Sequence, residues 1–196
     1  MDSAIEEQGE QQAMSGAPAY RFEAQQGILS GRPRGAELLE DLMGYLLRGP
    51  DNAATPLDFT QVSFIDVSCA DEMLIKLLLR LRSGEMGSRY VYIKVANTSV
   101  RETIEAVLQL RELAVLYRSE DQIELLGMLK RPMREVLDVL LERKCATSAE
   151  VSGVLNKNVN IVCNRLNALQ RMGLVCRLRD GSVAGGGRQY YYVSIL

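Results

Sequence analysis

The 196-residue sequence predicts an α/β domain followed by a smaller α+β domain. Three observations carry that reading. As far as about residue 127, short alternating or β-branched runs recur between longer runs whose apolar residues fall three and four apart, the pattern of strands interleaved with helices. Beyond that point, three amphipathic helical patterns precede two strand-like runs joined by glycines. Charge divides at the same place: from Met128 onward there are 11 Lys and Arg against 5 Asp and Glu, or +6, while the preceding part holds 12 against 20, or −8. Positive charge gathered at one end is what binding a polyanion requires, because neutralised phosphates release condensed counterions.

Composition narrows the function classes. A hydrophobic content of 47% suits a globular protein able to build a core. No run reaches the roughly 18 apolar residues of a membrane helix, and MDSAIEEQGEQQ lacks the basic and apolar regions of a signal peptide, so a cytoplasmic protein without membrane attachment is expected. Cys69, Cys145, Cys163 and Cys176 are widely spaced and there is no histidine, which argues against a zinc site and for reduced, mostly buried thiols. No Gly-rich loop ends in Lys and Ser, the GGGR run lacks a strand-to-helix setting, and carboxylates such as Glu37, Glu40 and Asp41 fall on solvated helix faces. Neither catalysis nor a cofactor is expected.

The first 19 residues hold four acids and no bases and read as a disordered tail. The alternation of Tyr20, Phe22 and Ala24 predicts an extended run to Leu29. Leu38, Leu39, Leu42, Leu46 and Leu47 predict a helix that GPDNAATP ends. LDFTQV, Leu57 to Val62, reads as a strand, and a buried helix follows from about Cys69 through Leu81. Val91 to Val95 reads as an interior strand, Thr98 or Ser99 as the cap of a helix through Leu110, and AVLYRS and QIELLG as two last strands.

The segment LDFTQVSFIDVSCADEM, with its Phe64-Ile65-Asp66 turn, a helix start at Ser68 and Ala70-Asp71-Glu72 just inside it, resembles the STAS fold of anti-sigma-factor antagonists. The resemblance spans about residues 20–127 and implies a mixed sheet with packed helices that docks a partner, senses a signal or oligomerises. In the phosphoregulated subgroup a serine at the position of Ser68 accepts phosphate. Val67, Cys69 and Asp71 depart from that subgroup, and Ser68 followed three residues later by Asp71 reads first as a helix N-cap with an acidic partner. Cys69 at this helix start reads as a buried structural thiol.

After residue 127, Met133, Val136, Leu137, Leu140 and Leu141 predict a helix opened by Pro132, and Thr147 with Glu150 forms a capping box for a second helix whose Val151, Val154 and Leu155 turn inward. A third helix follows in NKNVNIVCNRLNALQRMG, with Asn158 as its N-cap and Gly173 as its stop. LVCRLR and RQYYYVSI are strands joined by DGSVAGGG; at least one of Tyr190 to Tyr192 belongs to the core. RPMREVLDVLL, TSAEVSGVL, the N-R-L-x-x-L of Asn164 to Leu169, and MGLV leading to GGGRQYYYV resemble the winged helix-turn-helix of MarR-like bacterial regulators across residues 128–196.

On the third helix Lys157, Asn160, Asn164, Asn167 and Arg171 recur three and four apart and form a polar stripe, opposite Val159, Val162, Leu166 and Leu169. Asn can bond the edge of adenine bidentately, and Lys or Arg can meet phosphate or guanine. No carboxylate occurs between Val151 and Arg179. The resemblance implies that this helix enters the major groove while Arg179 and Arg188 flank a wing loop that touches backbone or minor groove. Asn158, at the helix entrance, joins the expected contact set; Arg165 lies beside the stripe, and Arg177 is placed to stabilise the wing. The expected function is therefore that of a homodimeric transcriptional regulator binding duplex DNA, with a protein partner at the STAS-like domain. The alternative is an adaptor or phosphorylation-controlled switch whose winged helix contacts proteins.

Overall fold

A computed structural model of the protein describes residues 15–95, 97–119, 122–179 and 190–196. From Gly16 on they fall into two compact units, Gly16–Leu129 and Lys130–Leu196. Of the acidic segment expected to be disordered, residues 1–14 lie outside the described residues. Residues 15 and 16 instead form a short strand beside the central sheet, and the Ala17 N–H donates to the Ala54 carbonyl at 3.2 Å.

The first unit is built on a mixed sheet: β1 (Ser15–Gly16), β4 (Ala53–Asp58), β6 (Tyr90–Lys94), β7 (Ala114–Arg118) and β8 (Ile123–Gly127) in that order, with β2 (Tyr20–Arg21) also along β4. Strands β2, β4, β6 and β7 run parallel and β8 antiparallel. Parallel neighbours need crossover connections, and three helices supply them. Helix α1 is Arg32–Arg48, with Pro33 in its first turn. Helix α2 runs through Val67–Ala70, a π-helical turn Asp71–Ile75, and Lys76–Ser83. Helix α3 is Thr98–Leu110. The core gathers Leu42, Leu57, Met73, Leu74, Leu77, Ile93, Ile104 and Val115 between helices and sheet. Met73, Leu74 and Ile75 are all buried, consistent with a helix apolar on most of its faces.

The strand expected at Leu57 to Val62 lies earlier, at Ala53–Asp58. Its end is set by Asp58, whose Oδ1 accepts the Thr60 N–H at 3.0 Å and the Thr60 hydroxyl at 2.6 Å and so turns the chain. Phe59 then packs its ring on Phe22, with centroids 4.1 Å apart. The cap of α3 is Asn97 rather than Thr98 or Ser99: its Oδ1 accepts from the Ser99 N–H at 2.8 Å. A separate parallel pair, β3 (Ile28–Leu29) with β5 (Phe64–Ile65), lies beside the start of α2.

The second unit has three helices, α4 (Arg131–Arg143), α5 (Ser148–Leu155) and α6 (Val159–Arg171). They accompany an antiparallel sheet of β9 (Cys145–Thr147), β10 (Val175–Arg179) and β11 (Tyr190–Ser194) in the order β10-β11-β9. Both halves of the capping box on α5 form: the Glu150 N–H donates to Thr147 Oγ1 at 3.2 Å and the Thr147 N–H to Glu150 Oε2 at 2.6 Å. Asn156 reverses the chain in the left-handed region at φ 48°. Val136, Leu137, Leu140, Val151, Val162, Leu166, Leu169, Val175 and Tyr192 are buried.

Candidate functional site

Helix α6 opens at Asn158, whose Oδ1 accepts the Asn160 N–H at 2.9 Å. That bond satisfies one of the free N–H groups of the first turn and commits the side-chain amide oxygen of Asn158 to capping. Val162, Leu166 and Leu169 are buried with no exposed surface, so the opposite side of the helix points away from the unit's core. Asn160, Ile161, Asn164 and Arg171 are exposed there.

The helical stripe is therefore narrower than its spacing suggests. Asn167 turns to the sheet: its Oδ1 accepts the Tyr192 hydroxyl at 2.9 Å and Arg177 Nη1 at 3.3 Å, while its Nδ2 approaches Cys163 Sγ at 3.6 Å. Lys157 is drawn aside by Glu135 of α4, to which its Nζ donates. That bond, reinforced by Arg131 and Arg165, holds the Glu135 carboxyl below the ordinary range. Arg165 keeps Nη1 buried. Arg177 lies over the Tyr190 ring at 4.7 Å and braces the sheet. Val159, expected to be buried, is 41% exposed because it occupies the first turn, where no earlier turn covers it, and Val154 at the end of α5 is 48% exposed. Arg179 ends β10. Arg188 and the glycine-rich connection lie outside the described residues.

At the start of α2 the N-cap is Asp66, not Ser68. Asp66 Oδ1 accepts the Cys69 N–H at 2.7 Å, and Oδ2 takes the Ser30 hydroxyl at 2.5 Å and the Gly31 N–H at 2.8 Å. Burial pushes this carboxyl up, but the Ser30 hydroxyl and the surrounding N–H groups outweigh it and hold it below its ordinary value. Asp71 does not complete a cap with Ser68; it faces Arg111, which donates from Nε at 3.0 Å and Nη2 at 3.2 Å. Ser68 lies within the first turn, exposed. Cys69 beside it is fully buried and its thiol is pushed up to about 11, mainly by desolvation, which makes it an unreactive core group. Three apolar side chains are exposed at this end of the unit: Val67 next to Ser68 in sequence, and Ile28 and Phe64, register partners on the β3–β5 pair that leads into α2.

A cleft of about 730 Å³ opens near the carboxyl ends of β4, β6 and β7, with Thr60, Tyr92, Lys94, Tyr117 and Arg118 among its walls. No helix among the described residues is long and apolar enough to cross a membrane. No protein-family model matches the chain, and no curated protein matches its sequence significantly.

Proposed function

We propose that the protein is a DNA-binding transcriptional regulator, in which a winged helix-turn-helix unit binds duplex DNA and a STAS-like unit docks a partner, senses a signal or mediates self-association. The observation that carries this reading is the outward side of α6. It exposes Asn160, Asn164 and Arg171, and the segment around it contains no carboxylate from Val151 to Arg179. A helix with uncommitted amides and a cation on one side, and a packed apolar side behind, suits a groove lined by base edges and phosphates. The order of three helices and a three-stranded antiparallel sheet supports the same assignment. A few base pairs per helix give limited specificity, so a cytoplasmic homodimer on a palindromic site is the expected working form. No catalytic step or cofactor enters this reading.

The test is retention of the full chain on duplex DNA, followed by anisotropy titration of Asn160→Ala and Asn164→Ala against selected and scrambled duplexes. Each variant should lose discrimination between the two more than it loses overall affinity. Identical titrations for wild type and both variants would remove the assignment.

A second reading draws on the exposed apolar side chains of Val67, next to Ser68 in sequence, and of the strand partners Ile28 and Phe64 that precede α2. This is the surface on which a STAS-like adaptor would hold a protein partner, with Ser68 as the residue whose phosphorylation would govern it. Intact mass of protein purified from its native host decides whether Ser68 carries phosphate.

A further inference from the structure

Which base pairs the second unit would read follows from the three side chains at the centre of the exposed side of α6. Asn160 and Asn164 stand one turn apart, Ile161 lies between them in sequence and three residues before Asn164, and all three are exposed, Ile161 by 48%. Among the described residues neither side-chain amide of Asn160 or Asn164 has a hydrogen-bond partner. Among the described cations on and beside α6, Lys157 is held by Glu135, Arg165 keeps a guanidinium nitrogen buried and Arg177 is bonded to Asn167; Arg171, exposed on the same side, sits two turns beyond Asn164 with its Nε on the Asn167 carbonyl at 3.4 Å.

In the major groove guanine offers two acceptors, which Arg or Lys fills, whereas adenine offers an acceptor beside a donor, the complement of an Asn amide. Thymine adds a methyl group that an aliphatic side chain can cover. We infer that α6 is built to read A·T pairs, with Asn160 and Asn164 each addressing an adenine edge and Ile161 packing on a thymine methyl. This rests on the DNA-binding reading above and specifies its target.

The inference is tested by selecting duplexes from a random pool with the full chain, then scanning the selected site with 7-deazaadenine and with deoxyuridine in place of thymine. The selected half-site should have an A·T core. At a contacted adenine, 7-deazaadenine removes one acceptor and should weaken wild-type binding about fivefold, while the corresponding Asn160→Ala or Asn164→Ala protein is indifferent to it. At the contacted thymine, loss of the methyl should weaken wild type about fourfold and leave Ile161→Ala unaffected. The analogues leave the protein unchanged, so misfolding cannot imitate these results. A core that selects G·C, or a site at which neither analogue changes affinity, overturns the A·T inference while duplex binding stands. Failure to retain any duplex at low salt overturns the inference and the DNA-binding reading together.

Discussion

Asn167 Oδ1 accepts the Tyr192 hydroxyl at 2.9 Å and so ties α6 to the middle strand of its sheet. Tyr192 is 2% exposed, and burial first, with the adjoining Cys163, pushes its hydroxyl up to about 12. Asn167→Ala strands that hydroxyl without its acceptor and releases Arg177 as well. It should lower stability by about 1–3 kcal/mol in urea denaturation. Tyr192→Phe should cost less, because Asn167 keeps the Arg177 bond, and a double-mutant cycle isolates the pair. An Asn167→Ala protein as stable as wild type would show that water replaces the network.

Asp66 carries the entrance of α2. Asp66→Ala removes an N-cap and two tertiary hydrogen bonds at once and should cost about 1–3 kcal/mol, whereas Ser68→Ala, one exposed hydroxyl, should change stability by less than about 0.5 kcal/mol. The pH dependence has a fixed sign. Asp66 and Asp58 both lie below their ordinary values in the folded state; at Asp58 the bonds from Thr60, with Lys94 and Arg21, outweigh burial. Their contribution is therefore fully present above about pH 4, the unfolded value, and is lost as pH falls through the lower folded-state values. Asp66→Asn should flatten the acid limb of the stability curve, and equal acid limbs for variant and wild type would contradict this.

What could be read in advance was local in sequence. The Thr147–Glu150 box needs two residues three apart, and both of its bonds form. Asn158 as cap and the buried Val162, Leu166 and Leu169 follow from the same short range. Several misreadings arise because a distant partner decides, and others because a short polar side chain bonds the backbone a few residues on, as Asp66 and Asn97 do. Asn167 looks like part of a solvated stripe until Tyr192 is brought beside it, and Lys157 looks free until Glu135 on α4 claims it. Strand β9 is three residues long and has no pattern of its own; it exists because Tyr191–Val193 lies alongside it. Asp58 ended its strand early through a side-chain bond that apolar periodicity does not register.

The Glu135–Lys157 pair makes an electrostatic prediction that depends on the proposed DNA binding. With Lys157 held by Glu135, Lys157→Ala should alter the salt dependence of binding little. Glu135→Gln frees the ammonium for phosphate, and should steepen the slope of log K against log salt by about 0.9. Thermal melts of the two variants should stay close to wild type, since the pair is only half-buried. A shallower slope for Glu135→Gln would place Lys157 away from the DNA.

Gly127 ends β8 under the tightest steric limit in the first unit. Its φ is +90°, and a Cβ there would lie 2.1 Å from the Leu113 carbonyl oxygen and 2.9 Å from the Leu108 Cβ. The obstructing oxygen belongs to the backbone, and it also accepts the Met128 N–H at 2.8 Å, so it cannot move without breaking that bond. The Gly127 N–H in turn donates to Glu105 Oε2 of α3 at 2.9 Å, which fixes the strand end to the helix. Gly127→Ala therefore meets a strained backbone and a collision together and should destabilise the unit by more than about 2 kcal/mol. Glu105→Gln keeps an acceptor at the same place and should cost no more than about 1 kcal/mol. Because the strain is local to this strand end, hydrogen exchange in the Gly127→Ala protein should rise first at Leu125 and Leu126, which pair with Leu116 and Val115, before it rises in β4.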